Sequence, residues 1–274
     1  MTLYESMVAD YTKEYGSTNL NIEHEVTQQI VLAGLEKGGF FEHAAFYGGT
    51  CLRLFHQLPR FSEDMDFSLT EKRNDIHIEN YFAAIKEMFH MVGHDVDIVK
   101  KDKKTFGRVE SAFLKENTEA YDIRFQTKKM VKVKIELDID PPLGFETELR
   151  SLTSPRSFMT RCYTLPYLYA GKMNALVYRA WQHRVKGRDW YDFEWYVRHR
   201  VPLNFTHLQN RIKEFSGDEV SKEQFMNLLR ERLSTTDIKK VKDDVIHYVF
   251  NREELDIWSN DYFLQLADMI RFVD

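Results

Sequence analysis

Ala44-Ala45-Phe46-Tyr47-Gly48-Gly49-Thr50-Cys51-Leu52-Arg53, followed by Phe61-Ser62-Glu63-Asp64-Met65-Asp66-Phe67-Ser68-Leu69, sets the architecture of the chain. The first four residues form a short apolar strand, the two glycines a turn, and 50–58 a helix stopped by Pro59. From Glu63 the second stretch alternates, with Met65, Phe67 and Leu69 on one face and Asp64, Asp66 and Ser68 on the other. Two carboxylates therefore leave the same side of one strand.

Upstream, Ile22, Val26, Ile30 and Ala33 recur at helical spacing behind Asn21 as N-cap, and Gly38-Gly39 ends a helix over 22–37. Its apolar stripe should face a sheet. Downstream the pattern predicts a helix over 76–92, then an antiparallel pair at 94–100 and 105–114. The clearest alternation spans 131–140, where Val131, Val133, Ile135, Leu137 and Ile139 oppose Lys132, Lys134, Glu136, Asp138 and Asp140. Beyond about 150 only helices are predicted, at 165–182, 189–198, 205–215, 221–233, 237–250 and 255–272. The expected fold class is α+β: a mixed sheet flanked by helices over 1–150, then an all-helical half over 151–274.

Composition agrees with a folded chain. Of 274 residues, 43% are hydrophobic and 30% charged, enough apolar material for a core. Lys and Arg number 38 against 43 Asp and Glu, a formal charge of −5 that excludes a broadly basic nucleic-acid coat. Cys51 and Cys162 belong to no Cys-x-x-Cys pair, so neither a zinc knuckle nor a redox motif is written, and a reduced, cytoplasmic setting is expected. The N-terminus lacks the apolar core of a signal peptide, and apolar runs such as 30–35 fall far short of a membrane span.

The constellation Gly48-Gly49-Thr50 with Asp64-Met65-Asp66 supplies what phosphoryl chemistry requires. A helix N-terminus entered through glycines points backbone N–H groups at an anion without Cβ obstruction, and Thr50 would add a hydroxyl. Two aspartates one residue apart on a strand can share Mg²⁺ ions ~3.5–4 Å apart. Either element alone is commonly just a turn or a solvated edge; their combination is far more informative.

These residues, with Tyr47 to Arg53 leading to Arg60 to Phe67, resemble the signature of the DNA polymerase beta-like nucleotidyltransferase superfamily, and more narrowly the AbiEii/AbiGii toxin family. Members of the family continue with a carboxylate on a later strand, a lysine on a helix and an Arg-Asp-x-x-Asp stretch. Here these are Glu136, Lys172 in a segment ending at Arg179, and Arg188-Asp189-Trp190-Tyr191-Asp192, so the likeness spans about 44–195. Gly-Gly-Thr stands where many superfamily members have Gly-Ser, and the interval to Asp64 is long.

The resemblance implies metal ligation by Asp64, Asp66 and Glu136, with Glu136 accepting the proton of the acceptor hydroxyl. Spacing alone does not choose between Glu136 and Asp138. Gly48, Gly49, Thr50 and Arg53 would contact the nucleotide. Lys172 and Arg179, two turns apart on one helix, would grip the triphosphate, although a cationic helix side is ordinarily a solvated one. Asp189 is implied as a site acid or its orienter, while Asp192 would tie Arg188 or the backbone; first-turn acids also simply offset the helix dipole.

His90 and His94 stand at i and i+4 without a third ligand and read as surface residues, Cys51 as a small core residue, and Trp190, Tyr191, Phe193, Trp195 and Tyr196 as helix packing. Basic strings occur at Lys100, Lys101, Lys103 and Lys104; at Lys128, Lys129, Lys132 and Lys134; at Arg184, Lys186 and Arg188; and at Lys239, Lys240 and Lys242. The third adjoins the expected site.

The implied activity is transfer of an NMP from an NTP to an acceptor hydroxyl with Mg²⁺ or Mn²⁺, releasing pyrophosphate. The implied biology is the toxin of a toxin–antitoxin or abortive-infection pair, with a tRNA acceptor and a cognate antitoxin. Two rivals remain: the same site acting on a protein or small molecule, and a non-catalytic nucleotide- or RNA-binding module.

Overall fold

The computed structural model describes residues 1–15, 20–101, 118–126, 131–178 and 185–274. By its internal packing the chain divides into two units. One comprises Met1–Gln57, Phe61–Leu143 and Thr147–Cys162; the other comprises Leu58–Arg60, Gly144–Glu146 and Tyr163–Asp274.

The first unit is built on a sheet with strand order β3-β4-β5-β2-β1-β7-β6. Its strands are β1 (Ala44–Tyr47), β2 (Asp64–Leu69), β3 (Val96–Lys100), β4 (Thr118–Phe125), β5 (Lys132–Asp138), β6 (Thr147–Leu152) and β7 (Phe158–Tyr163). Its helices among the described residues are α1 (Leu3–Tyr15), α2 (Leu20–Lys37), α3 (Gly48–His56) and α4 (Phe82–Met91). β2 lies between β1, to which it is antiparallel, and β5, to which it is parallel.

The alternation read from 61–69 and 131–140 is what the strands bury. Met65, Phe67 and Leu69 of β2 and Val133, Ile135 and Leu137 of β5 are in the core, with Phe67 stacked on Phe46 at 4.9 Å between centroids. α2 buries Ile22, Val26 and Ile30 as expected, but begins at Leu20, so Asn21 lies inside its first turn rather than capping it. Gln28 of α2 donates to the carbonyls of Ser62 and Glu63, both at 2.9 Å, fixing the chain as it enters β2.

One expectation for this unit is corrected. β6 and β7 follow residue 146 and join the sheet, so strands continue past 150. Phe158, Thr160 and Cys162 alternate as buried residues with Met159 and Arg161, a period-two signal in a segment too short and too polar to stand out. β3 pairs with β4, and the strand predicted at 105–114 lies outside the described residues.

The second unit carries α5 (Leu165–Tyr178), α6 (Gly187–Arg198), α7 (Phe205–Ser216), α8 (Lys222–Thr235), α9 (Ile238–Val245) and α10 (Asn260–Ala267), with a small parallel pair, β8 (Leu203–Asn204) and β9 (Phe272–Val273). Residues 255–272 are therefore a short helix and a strand, not one long helix. Tyr169 stacks on Tyr196 at 4.4 Å and Trp190 meets Phe263 edge-on at 4.7 Å, so the aromatic run of α6 is core, as read. Gly187 permits the close crossing of α6 and α9: a Cβ there would lie 2.0 Å from the Val241 carbonyl oxygen. Leu58–Arg60 is tied into this unit, with the Pro59 carbonyl accepting from Tyr191 Oη and from the Phe250 amide, each at 3.3 Å.

Candidate active site

In the sheet unit, β1 ends at Tyr47, directly opposite Asp66 in the antiparallel register. The chain then turns through Gly48 at φ +79°, a left-handed conformation that glycine adopts without strain. A Cβ at Gly48 would stand 2.1 Å from Asp66 Oδ2, so the carboxylate occupies the space a side chain would need. α3 starts at this turn, and its N-cap residue Tyr47 gives no side-chain capping bond to the first amides.

On the other side of β2, β5 aligns Asp64 with Lys134, Asp66 with Glu136 and Ser68 with Asp138. The polar rows of the two strands thus run side by side. Asp64, Asp66 and Glu136 are all partly exposed, and Lys134 Nζ sits 2.6 Å from Glu136 Oε1. Asp138 is buried at the next row, where it accepts from the Asp140 amide at 3.2 Å. Register therefore makes Glu136, not Asp138, the neighbour of Asp66.

Two expected nucleotide contacts are placed differently. Thr50 is fully buried and donates its hydroxyl to the Asp64 carbonyl, which pins α3 to β2 and leaves its backbone N–H as what it can offer a phosphate. Arg53 is buried in a bidentate pair with Glu25, at 2.8 and 2.9 Å, and also donates to Tyr15 Oη at 2.8 Å. It falls on the inward side of α3, where spacing alone could not reveal the Glu25 partner on another helix.

His24 is a neighbour of this face that no motif marks. Burial lowers its pKa, opposed by the nearby charges of Glu63, Asp64 and Glu23.

In the helical unit, α5 supplies Lys172 and the first turns of α6 supply Asp189 and Asp192. Lys172 Nζ lies 2.8 Å from Asp189 Oδ1 and 2.8 Å from Asp192 Oδ2. Arg60 donates Nε and Nη2 to Asp192 at 2.7 and 2.6 Å. Two cations and two acids thus form a nearly solvent-free quartet. Burial by itself disfavours the ammonium of Lys172, but Asp189 and Asp192 outweigh it and hold its pKa above the ordinary value.

Arg60 is the member that sequence reasoning passed over, and Asp192 ties Arg60 and Lys172 instead of Arg188. Arg188 lies over the Tyr248 ring at 4.3 Å. Arg179 lies outside the described residues.

The family model described as the nucleotidyl transferase AbiEii toxin of type IV toxin–antitoxin systems matches residues 30–273. The chain belongs to the AbiEii nucleotidyltransferase toxin family. AbiEii membership makes it a nucleotidyltransferase of a type IV toxin–antitoxin toxin family, which suggests an antitoxin partner. Among solved structures, MenT4, a nucleotidyltransferase toxin from Mycobacterium tuberculosis H37Rv, is similar in fold, with a TM-score of 0.55, 15% identity, and coverage of 96% of this chain and 93% of that one. JHP933 from Helicobacter pylori has a TM-score of 0.52 at 20% identity, covering 91% and 89% respectively. No curated protein matches in sequence. Among the described residues no helix is long and apolar enough to cross a membrane.

The fit of a divalent cation rests on the donors. Asp64, Asp66 and Glu136 offer only carboxylate oxygens, which suit hard Mg²⁺ or Mn²⁺, and the Gly48 cradle holds Asp66 at the helix start. The three do not converge as one group of ligand atoms within 4.8 Å. The set that does, among the described residues, is His77, Glu79 and Glu119, where Lys100 already meets Glu79 at 2.8 Å and His77 meets Glu119 at 2.7 Å.

Proposed function

We propose that this AbiEii toxin moves an NMP from an NTP to an acceptor hydroxyl, at a site where Asp64, Asp66 and Glu136 hold Mg²⁺ or Mn²⁺. The observation that carries the reading is the placement of Asp66: against the Gly48 turn on one side and beside Glu136 on the other. When bound, the metal supplies charge neutralisation at the phosphates and a lowered pKa for the attacking hydroxyl. The chain's own contributions are positional. The Gly48, Gly49 and Thr50 amides present N–H donors to phosphate oxygens at the start of α3. Glu136 accepts the proton of the acceptor hydroxyl, with Lys134 Nζ 2.6 Å from its Oε1. Lys172 is assigned to the phosphates, with Asp189 orienting its ammonium at 2.8 Å. Catalysis is then positioning plus electrostatics, as phosphoryl chemistry requires.

The acceptor assigned is the 3′ end of tRNA in the cytoplasm, which would block translation and serve abortive infection; this step is analogy at the level of the family. Incubating the protein with α-labelled NTPs and Mg²⁺ tests it, with total tRNA in one arm and a tRNA-free protein lysate in the other. Label in the tRNA is the expected result. Label in protein would redirect the activity to a protein acceptor, and NTP binding without pyrophosphate release would leave a binding module.

A further inference from the structure

The helical unit contains a cavity of about 300 Å³ that the preceding assignments leave without a role. The end of α5, the start of α6, the last turn of α8 and the start of α9 form its walls, and Lys186, Arg232 and Lys240 reach it from three of these segments. The sequence places Lys186 and Lys240 in separate basic strings and Arg232 in none; the fold gathers them. Two acids also line the cavity, and both have partners. Asp189 is held by Lys172 at 2.8 Å, and Asp237 caps α9 by accepting from the Lys239 amide at 3.0 Å. Counted on the lining alone, three cations stand against two acids, a formal surplus of one positive charge.

Leu176 and the buried Trp190 supply the apolar part of its lining, and a concave space focuses the field of the cations around it. Arg232 is anchored by donating Nη2 to the Val177 carbonyl at 3.3 Å, which orients the planar guanidinium. Burial lowers its pKa, a penalty that an anion at the fork would relieve. The volume lies at the lower end of ligand pockets, roughly 300–1,000 Å³, and is open enough for a phosphate with its sugar.

We propose that this cavity is a phosphate-binding subsite for a transfer substrate, with Lys186, Arg232 and Lys240 as its cations and Asp189 as the link to Lys172. The proposal rests on the reading that both substrates of transfer carry phosphate. The same chemistry has two sources, the phosphodiester backbone of an RNA acceptor and the triphosphate of the NTP.

Three chains are compared: the unaltered protein, Arg232→Gln and Lys240→Glu. Thermal unfolding checks that each is folded; Lys240 is exposed, so its variant keeps the test available if Arg232→Gln does not fold. Each is titrated with a labelled single-stranded RNA between 50 and 200 mM salt, with each of the four NTPs in Ca²⁺, and with inorganic tripolyphosphate. The expected result is a loss of about tenfold in affinity for tripolyphosphate and for one of the substrates. If that substrate is RNA, the log–log salt slope falls by about 0.7 per cation removed. If it is the NTP, RNA binding keeps its slope. Unchanged affinity for all three probes in a folded variant overturns the subsite, as does an unaltered protein that binds none of them. A protein that shows the tripolyphosphate loss but labels no acceptor keeps the subsite and refutes the transfer reading, so the two failures are separable.

Discussion

Asp64 and Asp66 stand partly exposed on a strand beside a glycine turn, whereas Asp189 and Asp192 are only 3% and 0% exposed on a helix, clasped by Lys172 and Arg60. Both are pairs of acids within a few residues of each other, and their surroundings give them different work. The strand pair keeps solvent access, which the proposed cation site requires. The helix pair has spent its charge on two buried cations, so it is first a structural element. Lys172 is the member of that quartet that keeps some exposure, 13% of its side chain.

The contrast is broken most severely at Asp192. Asp192→Ala leaves Arg60 buried without its bidentate partner, and urea unfolding should show a loss of about 3–5 kcal/mol. Combining it with Arg60→Met should recover much of that loss; no recovery would mean the quartet is not a unit. Asp66→Ala should do the reverse, lowering nucleotidyl transfer by ~10²–10³-fold while the fold survives. Full activity in that variant would refute the metal assignment.

Gly48→Ala sharpens the point that Asp66 is positioned by an absent side chain. The new Cβ meets Asp66 Oδ2 at a backbone φ of +79°, and about 1–3 kcal/mol of stability should go together with most of the activity. The smallest effect is expected from His56 at the end of α3. Burial, with the nearby Arg150 charge, lowers its pKa from 6.5 to about 4, against a smaller opposing effect of Glu148. The unfolded chain therefore takes up the proton first: stability is complete above pH 6.5 and declines as pH falls toward 4. Melting curves of the protein and of His56→Gln across this window should diverge, with the variant declining less.

Much of the site was legible because its residues sit on regular elements. Period-two alternation placed Asp64, Asp66 and Glu136 on polar faces, and the glycines marked where a helix had to start beside them. The side chains of Arg53 and Thr50 turn inward for one reason: a polar side chain on a short helix faces outward or inward according to partners elsewhere, and Glu25 and the Asp64 carbonyl are those partners. The basic strings show the same limit. Lys100, Lys101, Lys132 and Lys134 are paired with Glu79, Asp122, Asp122 and Glu136, so charge counted along the chain overstated the cationic surface there.

Local patterning alone specified the strand–turn–helix–strand order, the faces of β2 and β5, and the helices between 165 and 233, since each depends on spacing within a few residues. Tertiary structure alone decided that β5 lies against β2 with Glu136 at Asp66, that Arg60 reaches Asp192 across 132 positions, and that Lys186, Arg232 and Lys240 share one cavity. Periodicity tells a side chain which face it leaves from. Which other face it meets is set by long-range packing, and the chemistry depends on that meeting.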